Sequence, residues 1–223
     1  MEVKNFPKLE SPFKREFVNE VFIVVPKLSP EFEWIFSNEC IASDKIDGTN
    51  VSIIVESHKI TEIYNRMNKI DIWKHKKWFF EGIKNAIDFE KINLKELSDG
   101  QYFGELVGPH INGNPYNLKE PFWLSFDFLR KHCRFKFWDE FTEQNRDKTE
   151  KEKFLTVSET FKGLWSIYKR QKGIKSEVNE STGFENSMAA EGIVFYNKAS
   201  GEMCKLRRDM FEWYSKPRHK KQT

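Results

Sequence analysis

The chain has 223 residues, and its Gly 11 and Pro 8 fall below the roughly 12% that average chains carry, which excludes collagen-like, linker-like and low-complexity readings. Its 37 Lys and Arg against 34 Asp and Glu leave +3, too mild a charge to imply a nucleic-acid partner by itself. Phe 21 and Trp 7 beside 32% charged residues describe a soluble domain with a core of large rings, and the longest apolar run, Val21 to Val25, is far too short to span a membrane.

Strand-like runs rich in Val, Ile, Phe and Tyr dominate. In chain order they are Val21 to Val25, Cys40 to Asp44, Thr49 to Glu56, Lys59 to Tyr64, Gln101 to Val107, Phe122 to Leu129, Arg134 to Trp138, Glu191 to Tyr196 and Glu202 to Leu206. The runs on either side of Ser57-His58 predict a hairpin with a very short turn. Apolar side chains at 72, 73, 79, 80, 83, 86, 87 and 89 keep a helical spacing over residues 71–92, with Asp71 as the N-cap. Residues 140–153 are nearly all polar and predict an exposed helix or a mobile connection. Phe154, Val157, Phe161, Leu164, Trp165 and Tyr168 recur at three- and four-residue steps as a second amphipathic helix, and residues 173–187 read as a long surface loop. Many strands with few helices point to an α+β fold built around antiparallel sheets, a single domain over residues 1–223 with a helical and loop insert at about 139–188.

Three cysteines (Cys40, Cys133, Cys204) are an odd count with no C-x-x-C pair, so neither a disulfide framework nor a zinc site is indicated. With Met1-Glu2-Val3-Lys4 unlike a signal peptide, a cytoplasmic or otherwise intracellular, reducing compartment and no membrane partner are expected. From Lys205 onward seven Lys and Arg face two acids, an excess that can attract phosphate beside a site or form a solvated tail.

The most informative segment is Asp44-Lys45-Ile46-Asp47-Gly48-Thr49-Asn50, where a lysine follows a strand-like run and a glycine comes three residues later. Alone, Lys-x-Asp-Gly is compatible with a charged turn between two strands, Gly48 supplying a permissive backbone. Five further elements follow in a telling order. Arg66 comes 21 residues after Lys45; then Phe103-Gly104-Glu105-Leu106-Val107-Gly108, Trp123-Leu124-Ser125-Phe126-Asp127-Phe128, Glu191-Gly192-Ile193-Val194-Phe195 and Cys204-Lys205-Leu206-Arg207. Together these resemble the motif series of the covalent nucleotidyltransferases, the superfamily of polynucleotide ligases and mRNA capping enzymes. The endings Gly48-Thr49-Asn50 and Gly104-Glu105-Leu106-Val107-Gly108 resemble its RNA ligase branch. The resemblance runs from about residue 41 to residue 208.

The resemblance implies an ATP-grasp-like nucleotidyltransferase domain, antiparallel sheets flanked by helices, with no OB domain in the 15 residues after Arg208. It implies ATP and Mg²⁺ or Mn²⁺ as cofactors, and as partner an RNA with 5′-phosphate and 3′-hydroxyl ends acted on by a monomer. Lys45 is implied as the nucleophile on the α-phosphate; a lysine amine attacks only when neutral, and neighbouring cations such as Lys205 and Arg207 disfavour the ammonium form and hold the triphosphate. Asp47, Glu105 and Glu191 are hard oxygen donors suited to the metal, largely through waters. Asp44, Asp47, Asn50, Arg66 and Glu105 are implied around the nucleotide, with Phe126 stacking on adenine and Ile193 or Val194 closing the other side of the purine.

Arg207 stands where relatives commonly carry a second lysine, which keeps the charge and changes its geometry. Residues 130–136, 74–78 and 216–221 are basic stretches able to track a phosphate backbone or to form solvated faces. A capping guanylyltransferase, a DNA nick ligase and an inactive RNA-binding domain of the same fold are the competing readings.

Overall fold

The computed structural model describes residues 2–18, 20–71, 77–89, 92–171 and 188–214. Its strands, in chain order, are β1 (Phe13–Val18), β2 (Val21–Leu28), β3 (Cys40–Asp44), β4 (Thr49–Glu56), β5 (Lys59–Asn65), β6 (Asn68–Lys69), β7 (Gly100–Val107), β8 (Phe122–Ser125), β9 (Gly192–Asn197) and β10 (Met203–Arg207). The helices are α1 (Trp78–Asp88), α2 (Phe126–His132), α3 (Phe137–Asn145), α4 (Glu150–Lys162) and α5 (Ile167–Gln171). All the pairings between these strands are antiparallel, so the chain is α+β with antiparallel sheets, as its composition predicts.

The chain divides into two compact units. One joins the residues up to Lys8 with Ile46–Cys133, and the other joins Leu9–Lys45 with the residues from Arg134 on.

The first unit carries the sheet β6-β5-β4-β7-β8. Strand β4 is buried continuously from Val51 to Val55, and Val51, Ile53 and Val55 join a core completed by Leu106, Trp123, Ile83 and Ala86. The β4–β5 turn is the predicted two-residue one, with Ser57 at φ 50° and His58 at φ 60°, the left-handed pair that suits the twist of a hairpin. Helix α1 begins at Trp78 with Lys77 at its N-cap position, so Asp71 does not cap it; residues 72–76 lie outside the described residues.

The second unit holds the β1-β2 hairpin and the sheet β10-β9-β3 around a core of Phe13, Trp138, Phe161, Phe195 and Leu206, among others. Strand β1 escapes an apolar-run search because its centre is Lys14-Arg15-Glu16. Helix α4 starts earlier than its apolar spacing suggests because Thr149 and Glu152 form a reciprocal capping box. It stops at Gly163, so the predicted run through Tyr168 is broken: Trp165 bridges to Ala189 before α5 starts. The polar stretch 140–153 is thus the end of one helix and the start of another, and α4 lends Val157 and Phe161 to the core. The loop expected at 173–187 lies outside the described residues.

Two predicted strands are corrected. The run from Phe122 extends only to Ser125, whose Oγ accepts the Phe128 N–H at 3.0 Å and so starts α2 at Phe126. The run from Arg134 is reduced to a bridge between Ser43 and Arg134, after which Trp138 turns into the core in α3 and donates its Nε1–H to the Ile35 carbonyl at 2.9 Å.

Candidate functional site

The β10-β9-β3 sheet gathers three of the motifs by register alone. Asp44 lies opposite Ile193, and Ile193 opposite Leu206. Side chains in this row face the core, where Ile193 is 0% and Asp44 1% exposed. One residue on, Lys45 donates its N–H to the Gly192 carbonyl at 3.0 Å, and Gly192 is paired with Arg207. The pleat therefore sends Lys45 and Arg207 to the opposite face, together with Lys205 and its partner Val194. Gly192 sits where no side chain fits: a Cβ there would lie 2.1 Å from the Leu206 carbonyl oxygen.

On that face Lys45 Nζ is 2.6 Å from Glu191 Oε2. Arg207 reaches toward the same carboxylate, Nη1 to Oε1 at 4.0 Å, and its Nη2 is 3.1 Å from Asp209 Oδ2. These side chains are partly open, at 18% for Lys45, 25% for Glu191 and 34% for Arg207. Arg207 Nε is buried and has no hydrogen-bond partner among the described residues.

Asp44 behaves differently from its neighbour. Its Oδ2 accepts from the Ser166 hydroxyl at 2.6 Å and from the Tyr168 N–H at 3.1 Å, tying the end of β3 to the start of α5. Burial pushes its carboxyl up to about 6, against the lowering effect of those donors.

The first unit collects the other residues. Asn50 on β4 pairs with Glu105 on β7, and Asn50 Oδ1 is buried with no hydrogen-bond partner among the described residues. Gly48 packs against the same strand: a Cβ there would be 2.4 Å from the Leu106 carbonyl oxygen and 2.7 Å from Glu105 Cγ. Arg66 is exposed at the β5–β6 turn with φ 55°. Phe126 is the first residue of α2, not part of a strand, and its ring centroid lies 4.6 Å from that of Phe6, which is 5.4 Å from Phe103.

Two residues here have no place in the motif series. Tyr116 is buried and its hydroxyl accepts the Asp47 N–H at 2.8 Å. Asn112 donates its amide both to Asp47 Oδ1 at 2.9 Å and to the Gly48 carbonyl at 2.6 Å. The signal in the sequence is the run Asn112-Gly113-Asn114-Pro115-Tyr116, rich in residues that accept left-handed backbone.

Among the described residues no three His, Cys, Asp or Glu side chains converge into a metal-holding cluster. Of the basic stretches, Arg130 is paired with Asp127, and Arg134 with Asp139 at 2.6 Å. Residues 74–76 and 216–221 lie outside the described residues. The three cysteines are buried and form no disulfide among the described residues; burial pushes the Cys40 thiol up to about 12 and Cys204 well above its ordinary value. Among the described residues no helix is long and apolar enough to cross a membrane.

A lysine held against a glutamate, with cations beside it on the same face of an antiparallel sheet, is an arrangement suited to a nucleophile acting on a phosphate. The family model described as RNA ligase matches residues 38–211, and the chain belongs to that family. No curated protein matches it. Solved structures of the Naegleria gruberi RNA ligase are similar. A lysine-to-methionine variant with AMP and Mn and the ligase with PPi each show 14% identity and a TM-score of 0.49, over 93% of this chain and 58% of that one. A lysine-to-alanine variant with ATP and Mn shows 15% identity and a TM-score of 0.46 over the same shares. The chain thus spans under two thirds of the length of those solved ligases.

Proposed function

We propose that the chain is an ATP-dependent RNA ligase that joins a 5′-phosphate to a 3′-hydroxyl through lysyl-AMP and adenylated RNA. The observation that carries this reading is the Lys45–Glu191 contact at 2.6 Å, with Arg207 beside the same carboxylate. The amine must lose its proton to attack, and Glu191 is the group in hydrogen-bond reach that can direct it. The neutral Nζ forms a bond to the α-phosphorus of ATP as the bond to the β-phosphate oxygen breaks, and pyrophosphate leaves. Lys205 and Arg207 hold the departing phosphates, with the unpartnered Arg207 Nε as a further donor toward them. AMP then passes to the RNA 5′-phosphate, and the 3′-hydroxyl displaces it.

In this reading Asn50, whose buried Oδ1 lacks a partner, and Glu105 opposite it serve the ribose, and Arg66 the phosphates. Phe126 stacks on adenine, the backbone of Asp44 reads its edge, and the aliphatic wall is Val194 instead of the core residue Ile193. Carboxylate oxygens are hard donors that suit a divalent cation keeping most of its waters. Asp47, Glu105 and Glu191 would hold it, and when bound it supplies charge neutralisation on the triphosphate.

The test is to incubate the protein with Mg²⁺ and α-labelled ATP or α-labelled GTP and read the label on denatured protein. Label from ATP, absent in Lys45→Ala at an unchanged melting temperature, is expected. Label from GTP alone would mean a capping guanylyltransferase. With ATP label in hand, matched RNA and DNA nicks separate an RNA from a DNA ligase. No label from either nucleotide, with preadenylated RNA left unsealed, would mean a binding module.

A further inference from the structure

The segment after β7 turns through an unusual number of left-handed residues. His110, Asn112, Asn114 and Asn117 have φ of 69°, 46°, 52° and 51°. Such a backbone persists only where the surroundings over-determine it. Here they do: Asn114 Nδ2 donates to the Leu118 carbonyl at 2.8 Å, and its Oδ1 accepts the Leu118 N–H at 3.0 Å. Ile111, Tyr116 and Leu118 anchor the loop by burial.

This rigid loop ends on the two residues that close the nucleophile motif. Asn112 spends its one NH₂ group twice, on the Asp47 carboxylate and on the Gly48 carbonyl. Tyr116 takes the Asp47 N–H. The carboxylate and the backbone of Asp47 are therefore both fixed from the loop. Among the described residues, Asn112 is the one hydrogen-bond donor to the Asp47 side chain.

We propose that Asn112, carried on the loop anchored by Tyr116, is a positioning residue for adenylation: it sets the Asp47 carboxylate and the Gly48 backbone directly downstream of Lys45. The proposal rests on the ligase reading above. Asn112 acts through Asp47 and touches no reacting atom. Its loss leaves ATP binding nearly intact and slows the chemical step, because that step depends on orientation more than binding does.

The variant that isolates the amide is Asn112→Gly, since glycine keeps the left-handed backbone without strain. Single-turnover lysyl-AMP formation at saturating ATP is expected to fall about tenfold, in line with a lost hydrogen bond to a charged group. Binding of ATP and Mg²⁺ to the Lys45→Ala protein, read by calorimetry, should stay within about twofold when Asn112→Gly is added. In an Asp47→Asn background the same change should cost less than about twofold, because the partner it acts through is already altered. Additive losses, an unchanged rate, or a fall in melting temperature large enough to account for the slower labelling would each overturn the proposal. Absence of label on the unmodified protein would instead overturn the ligase reading, and this proposal with it. Label on the unmodified protein with an unchanged rate in Asn112→Gly would sink the positioning role alone.

Discussion

At the edge of the β10-β9-β3 sheet, Lys45, Glu191, Arg207 and Asp209 form a chain of ion pairs, whereas just before β4 of the five-stranded sheet Asp47 and Gly48 are gripped by the neutral side chains of Asn112 and Tyr116 from the loop after β7. The two modes of support respond differently to an incoming polyanion. On the ligase reading proposed above, phosphate oxygens take over from carboxylates at Lys45 and Arg207, an exchange of one anion for another. An amide donating to a carboxylate and a backbone carbonyl offers phosphate no such exchange. On that reading one set of residues re-pairs and the other stays in place.

The comparison can be broken most sharply at Glu191. Glu191→Gln keeps the shape, ends both ion pairs, and is expected to slow lysyl-AMP formation about a hundredfold, the scale of a lost proton-directing group. Equal or faster labelling at neutral pH would mean that the carboxylate only restrains the lysine.

Next comes Asp44, the one carboxylate on the charged sheet that faces the core. Its ordinary value is 3.8 and burial holds it at about 6, so the folded chain binds this proton more tightly than the unfolded chain. The stability that the group contributes is complete below pH about 4 and is lost as the pH rises through about 6, up to about 3 kcal/mol. Asp44→Asn removes that dependence. Relative to the unmodified protein it should gain stability from pH 4 to pH 7, read as the difference in urea midpoints; parallel midpoints would show that Asp44 is not titrating in this window.

Arg207→Lys tests whether the fork of the guanidinium matters, because Arg207 stands between Glu191 and Asp209. A lysine cannot span both, and an approximately tenfold slower adenylation is expected. Full retention would reduce Arg207 to a point charge. The smallest effect is on the neutral side. Tyr116→Phe leaves the Asp47 N–H without its acceptor and should cost about 1 kcal/mol in chemical unfolding, with labelling slowed only severalfold.

Two strands that carry the motifs were legible as short strand-like runs: β3 and β4 match their predicted limits residue for residue. What alternation could not reveal was where an apolar run changes its period. Phe126, Phe128 and Leu129 continue the run of β8, yet Ser125 offers its hydroxyl to the next turn and the chain coils. Strand β1 was hidden by its charged centre, since its place depends on pairing with β2 and not on its own composition.

In the candidate site, the motif order singled out Lys45, Lys205 and Arg207, which the β10-β9-β3 sheet sends to one face, and Glu191, which Lys45 contacts, while period two on β9 makes Ile193 core and Val194 not. Asn112 and Tyr116 were invisible because their contacts bridge more than sixty residues of sequence. The loop's turn-forming composition announces a bend and says nothing of what the bend holds.

On the ligase reading proposed above, Gly48 and Gly192 carry a warning for anyone scanning this protein by random substitution and scoring ligation. Every variant at either position would be expected to score as inactive, though neither residue has a side chain with which to touch a nucleotide. The steric margin is negative at both, with a β-carbon placed 2.4 Å and 2.1 Å from a carbonyl oxygen of the neighbouring strand. An activity map alone would therefore draw the catalytic centre too large, and only a parallel readout of soluble, folded protein would trim it to the residues that do chemistry.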